Sequence, residues 1–196
     1  MSQAETVTFI AGVARSGTSW VGQIFDSSPK VRFSFQPFFA YEFKNRVNEE
    51  SSEAEFRCLI DDIYTHQSPF LNQDDKRQSG EYPSFKKESN ISHLVFKENR
   101  YQNVIEPLMR KCTEVKLVGI IRNPNAVINS WMKNPKEFPP ESNPLDQWRY
   151  GDCKNQGHED FFGYYKWKEV ANLYIDLQDK WPNRVYVLRY EDLVDA

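Results

Sequence analysis

No stretch of the 196-residue chain approaches the run of about 18 apolar residues that a membrane-spanning helix needs. Positive charge is not in excess either: 25 Lys and Arg against 28 Asp and Glu leave a net charge of −3. That balance argues against general binding to nucleic acid or to a membrane surface, and neither partner is expected. Cysteine is scarce. Cys58, Cys112 and Cys153 are odd in number and form no Cys-x-x-Cys, so no disulfide framework is expected. His66, His93 and His158 form no His-x-x-x-His, and Cys153 and His158, five apart, are too little for a metal site. No metal is expected. The start, Met1-Ser2-Gln3-Ala4-Glu5, lacks the basic and apolar regions of a secretory signal. With the cysteine usage, this points to the cytoplasm. Internal repeats and low-complexity tracts are also missing.

What is present suffices for a packed core: 39% of residues are hydrophobic and 15% aromatic. Runs rich in β-branched and aromatic residues predict strands at 7–13, 94–96, 115–121 and 184–188, with a shorter one at 31–35. The first and third long runs are almost continuously apolar, as in parallel strands covered on both faces. Helical spacing falls between them: Trp20, Val21, Ile24 and Phe25; then Val127, Ile128, Trp131 and Met132. A longer stripe runs from Trp167 to Trp181 and stops at Pro182-Asn183. Trp167 is read as core. Tyr101 to Met109 also fits a helix, kinked or delayed by Pro107. Strands alternating with helices predict an α/β fold, a three-layer α/β/α sandwich around a mainly parallel sheet.

Two stretches interrupt this rhythm. Residues 68–92 and 133–160 are long for connectors, and either wall a substrate site or cover hydrophobic surface. Aromatics at 138–167 could stack on a sugar or an aromatic ring, or belong to the core.

The first chemical motif follows strand one: Gly12-Val13-Ala14-Arg15-Ser16-Gly17-Thr18-Ser19-Trp20. A Gly-rich turn from a strand into a helix can wrap backbone N–H groups around a phosphate. A nucleoside-triphosphatase P-loop needs lysine where Thr18 stands, so a nucleotide kinase relative is disfavoured. Arg15 supplies a cation inside the loop. The bland alternative is a glycine turn capped by hydroxyls.

This motif resembles the 5′-phosphosulfate loop of sulfotransferases that use 3′-phosphoadenosine 5′-phosphosulfate (PAPS). The resemblance implies a P-loop-like fold, and implies that Arg15, Ser16, Gly17, Thr18 and Ser19 hold the phosphosulfate, with Trp20 near the nucleotide. A second motif, Arg122-Asn123-Pro124 with Ser130 on the helix that follows, is similar to the family's 3′-phosphate site. Asn123 suits the cap and Pro124 the first turn, and Ser130 falls nearly two turns on. A third, Arg189-Tyr190-Glu191-Asp192-Leu193, looks like a family segment read as architectural.

The expected activity is therefore sulfuryl transfer from PAPS to a hydroxyl. Arg15 would stabilise charge on the bridging oxygen, and Lys97, at a strand's carboxyl end, is the second candidate cation. Lys97 could equally be a solvated strand-end lysine. The general base is harder to place. Many carbohydrate and bacterial members of the family carry Glu-Pro after the second strand. Here Gln36-Pro37 stands there, and an amide can orient an acceptor but not take its proton. Glu98, adjacent to Lys97, is the favoured carboxylate, ahead of Glu42. His93 lies before its strand, and His66 cannot be placed. The Pro-containing segment favours the carbohydrate and bacterial branch, hence a carbohydrate acceptor over another small molecule. The expectation is one domain over 1–196, without the C-terminal segment usual in the family. A non-catalytic module that binds PAPS or its product PAP is the alternative. Acceptor identity and oligomeric state are not legible.

Overall fold

The five apolar runs become five strands, and the periodic stretches between them become helices. In the computed structural model, which describes residues 4–195, the chain begins with β1 (Thr6–Ala11), α1 (Thr18–Asp26) and β2 (Val31–Phe35). Then come α2 (Glu53–Thr65), α3 (Pro69–Asn72), α4 (Asp74–Gln78), β3 (His93–Glu98) and α5 (Ile105–Lys111). It ends with β4 (Val115–Ile121), α6 (Pro124–Met132), α7 (Pro144–Gln147), α8 (Tyr164–Lys180), β5 (Val185–Arg189) and α9 (Tyr190–Val194). Part of the polar start, Met1 to Gln3, and Ala196 lie outside the described residues. The strands form one all-parallel sheet in the order β2-β3-β1-β4-β5, so the α/β reading holds. No helix among the described residues is long and apolar enough to cross a membrane.

Two compact units divide the chain. The first holds the chain up to Ile10, Ser19–Glu98 and Asn103–Leu117. Here β2 and β3 pair in parallel, with Val31 opposite His93 and Phe35 opposite Lys97. His93 thus opens its strand rather than preceding it. Phe9, Phe38 and Phe96 pack ring on ring at 4.7–5.7 Å between centroids. A reciprocal capping box between Ser52 and Glu55 starts α2, which buries Phe56, Leu59, Ile60 and Ile63. Pro107 delays α5: a 3₁₀ turn at Gln102–Val104 precedes a helix whose third residue it is. The stretch 68–92 covers core. Leu71 is buried, Phe70 meets Phe35 edge-on at 5.6 Å, and Arg77 and Lys87 pair with buried Asp26 at 2.7 and 2.8 Å.

The second unit holds Ala11–Thr18, Asn99–Gln102 and the chain from Val118 onward. Asn123 caps α6 by accepting from the Asn125 N–H at 2.9 Å, and Pro124 opens the helix. Trp131 packs against Phe138 and Phe162, which accounts for part of the 133–160 stretch. Tyr174 of α8 is fully buried and donates to Gln102 Oε1 at 2.5 Å. Burial pushes its phenol well above the ordinary tyrosine range.

Candidate functional site

In the second unit, β1 ends at Ala11, two residues earlier than its apolar run suggests, because the chain turns at once. The Ser16 N–H closes the turn on the Val13 carbonyl at 3.2 Å. Two residues of the loop are left-handed, Arg15 at φ 74° and Gly17 at φ 89°. Glycine takes that conformation freely; for Arg15 it costs about 1–2 kcal/mol. Glycine is also needed at 17 for space, since a Cβ would run into the Tyr190 ring. Thr18 begins α1 and is buried, its hydroxyl donating to Asn99 Oδ1 at 2.6 Å. Ser16 is fully buried, and its hydroxyl has no partner among the described residues. Trp20 is exposed.

Arg122 follows β4, and the structure joins it directly to this loop. Its Nη1 donates to the Arg15 carbonyl at 3.0 Å, and Arg15 Nε donates to Ser130 Oγ at 3.0 Å. The two phosphate motifs, 107 residues apart between their arginines, thus interlock. Both arginines and Ser130 line one open cavity of about 520 Å³, with Ala126, Asn129, Lys133, Asn134 and Pro135. Its described lining contains three cations and no carboxylate. Such a surface attracts an anion.

Three residues that hold Arg122 and its neighbour Asn123 are not legible as site residues in the sequence. The Trp167 indole N–H donates to the Arg122 carbonyl at 3.0 Å, so Trp167 is half-buried beside the arginine and not core. Its membership of an apolar helical stripe concealed this. Tyr190 lies under the Arg122 guanidinium, 4.4 Å from ring centroid to Cζ. Glu191 Oε1 accepts from the Asn123 N–H at 2.9 Å. The segment read as architectural therefore clamps both phosphate motifs. Nothing local in it signals that.

The remaining candidates sit in the first unit. The Gln36 N–H donates to the Lys97 carbonyl at 2.9 Å, and Gln36 itself is left-handed at φ 45°. Lys97 is only 1% exposed, with its ammonium 4.3 Å from the Phe35 ring centroid, so it is no solvated strand-end lysine. Glu98 is 0% exposed. Its Oε1 accepts from the backbone N–H groups of Phe38, at 2.6 Å, and Phe39, at 3.3 Å. The carboxylate expected to take a proton is committed to two amides of the turn after Gln36. Glu42 faces His66 at 3.7 Å. All three cysteines are free thiols, and no metal-holding cluster occurs among the described residues.

A Gly-rich turn between a parallel strand and a helix, with two arginines joined at the loop, defines a P-loop-like α/β class. The chain belongs to the sulfotransferase family, whose family-level match covers residues 8–196. Among solved structures it is similar to a sulfotransferase from Alicyclobacillus acidocaldarius: 14% identity, TM-score 0.55, covering 98% of this chain and 76% of that one. It is also similar to the sulfotransferase domain of the curacin biosynthetic pathway, at 18% identity and TM-score 0.53, covering 99% and 70%. A third is a retinol dehydratase in complex with androsterone and the inactive cofactor PAP, at 17% identity and TM-score 0.50; this chain spans 57% of its length. At these identities the likeness is one of fold. A search of curated proteins gives no match.

Proposed function

We propose that the chain is a PAPS-dependent sulfotransferase whose acceptor is a carbohydrate hydroxyl. The observation that carries this reading is the interlocked pair of motifs, Arg15 on Ser130 and Arg122 on the Arg15 carbonyl, at one carboxylate-free cavity. The residues fit a doubly anionic nucleotide. Ser16 offers a buried hydroxyl without a partner among the described residues, and the first turn of α1 has backbone N–H groups that no helix can satisfy internally. PAPS, when bound, supplies the sulfuryl group; PAP is the cofactor in the retinol dehydratase structure.

In this reading Arg15, Ser16, Gly17, Thr18 and Ser19 hold the phosphosulfate, Thr18 through its N–H because its hydroxyl serves Asn99. Trp20 flanks the nucleotide, and Arg122 and Ser130 hold the 3′-phosphate. Arg15 stabilises the negative charge that grows on the bridging oxygen, which is commonly the largest catalytic contribution. Lys97 adds a buried positive charge at the carboxyl end of β3. Gln36 orients the acceptor. Glu98 is a positioning residue, holding the turn at Phe38 and Phe39.

The same engagement of Glu98, with Gln36 unable to accept a proton, favours a second reading: a module that binds PAP without turnover. The test uses radiolabelled PAPS with carbohydrate, phenol and sterol acceptors, with mass-spectrometric identification of the product. A sulfated carbohydrate supports the first reading, and a sulfated phenol or sterol keeps the transferase but removes the carbohydrate. PAP binding without transfer to any acceptor leaves the second. Failure to bind PAP removes both.

A further inference from the structure

We infer that Lys133 is a specificity-determining residue of the donor site, the second positive charge facing the nucleotide's 3′-phosphate. The inference rests on the donor-site reading above. Lys133 is the C-cap of α6, and Ala126, Asn129, Ser130 and Lys133 fall at helical spacings of three and four, so they share one face. That face forms a wall of the 520 Å³ cavity.

Charge balance assigns the role. A phosphate monoester carries between one and two negative charges at neutral pH, about −1.5 to −2. Arg15 is assigned to the phosphosulfate, and Ser130 is neutral, which leaves Arg122 as one charge against the 3′-phosphate. Part of Arg122 is already spent, with Nη1 on the Arg15 carbonyl and the guanidinium against Tyr190. Lys133 is the one other cation of this wall. Its ammonium has no hydrogen-bond or ion-pair partner among the described residues, and no carboxylate in the described lining competes for it. A lysine on a flexible stem suits this task, because it meets a phosphate as a mobile point charge.

The experiment is calorimetric titration of wild type, Lys133→Ala and Lys133→Arg with PAP and, separately, with 5′-AMP, which lacks the 3′-phosphate. Thermal melting confirms that each variant folds. The expected result is a loss of about tenfold in PAP affinity for Lys133→Ala with AMP affinity unchanged, and near-complete rescue by Lys133→Arg. The salt dependence of PAP binding should weaken in parallel. If wild type prefers PAP over AMP but Lys133→Ala keeps that preference, or weakens both nucleotides alike, the inference is overturned while the donor-site reading stands. A wild type that binds neither nucleotide overturns both.

Discussion

Arg15 and Lys97 look alike in the sequence: each is a cation just past an apolar strand, and each was a candidate for the same chemistry. The fold treats them differently. Arg15 is exposed on a left-handed loop residue, bonded to Ser130 in an open cavity. Lys97 is sealed in its unit against Phe35, beside a Glu98 whose carboxylate serves two backbone amides. An exposed cation without a neighbouring carboxylate is arranged for an incoming anion. A buried charge is stable only where the protein has already satisfied it, so its first duty is to its own surroundings.

The largest effects are expected from removing the arginines of the open cavity. On the proposed chemistry, Arg15→Ala is expected to lower kcat by about 10²–10³-fold with the protein still folded, since it would withdraw a charge that acts mainly in the transition state. Arg122→Ala should weaken PAP binding by about 100-fold in calorimetry. Intact transfer in either variant would place the chemistry elsewhere.

The buried region should respond in stability instead. Glu98→Ala removes the buried acceptor of the Phe38 N–H, while the Phe39 N–H keeps the Gln36 carbonyl, and should cost about 1–3 kcal/mol in denaturant unfolding. Glu98→Gln retains an acceptor oxygen, so kcat should stay within about tenfold of wild type for a positioning residue. A general base would lose about 10²–10⁴-fold, and such a result would return Glu98 to the chemistry.

Gly17→Ala tests the clamp on the loop. The left-handed φ and the Tyr190 ring both oppose a methyl group there, and about 1–3 kcal/mol of stability should be lost. Adding Tyr190→Ala should recover the steric part and leave the backbone part, as a double-mutant cycle would read.

The smallest expected change is at Tyr174. Removing its hydroxyl in Tyr174→Phe leaves Gln102 Oε1 buried without its donor, at a cost of about 1 kcal/mol by thermal or urea unfolding. The sign of the pH effect follows from its raised folded-state pKa. The contribution is complete below the unfolded tyrosine value of about 10 and is lost as pH climbs from there toward the folded value. Tyr174→Phe should therefore flatten the alkaline decline in stability.

The strands, the Asn123 cap with Pro124, the Gly-rich turn and the place of Ser130 on the helix after Arg122 were all legible in the chain. These depend on local rules: β-branched runs, N-cap chemistry, glycine's tolerance of positive φ, and helical spacing. Tertiary structure decided which like-looking residues would be exposed and which buried. It drew Trp167 out of an apolar stripe to the Arg122 carbonyl, and placed Tyr190 between Gly17 and Arg122. It also closed Glu98 onto amides some sixty residues away. Burial and partner choice are set by contacts between distant segments, and no window of neighbouring residues encodes them.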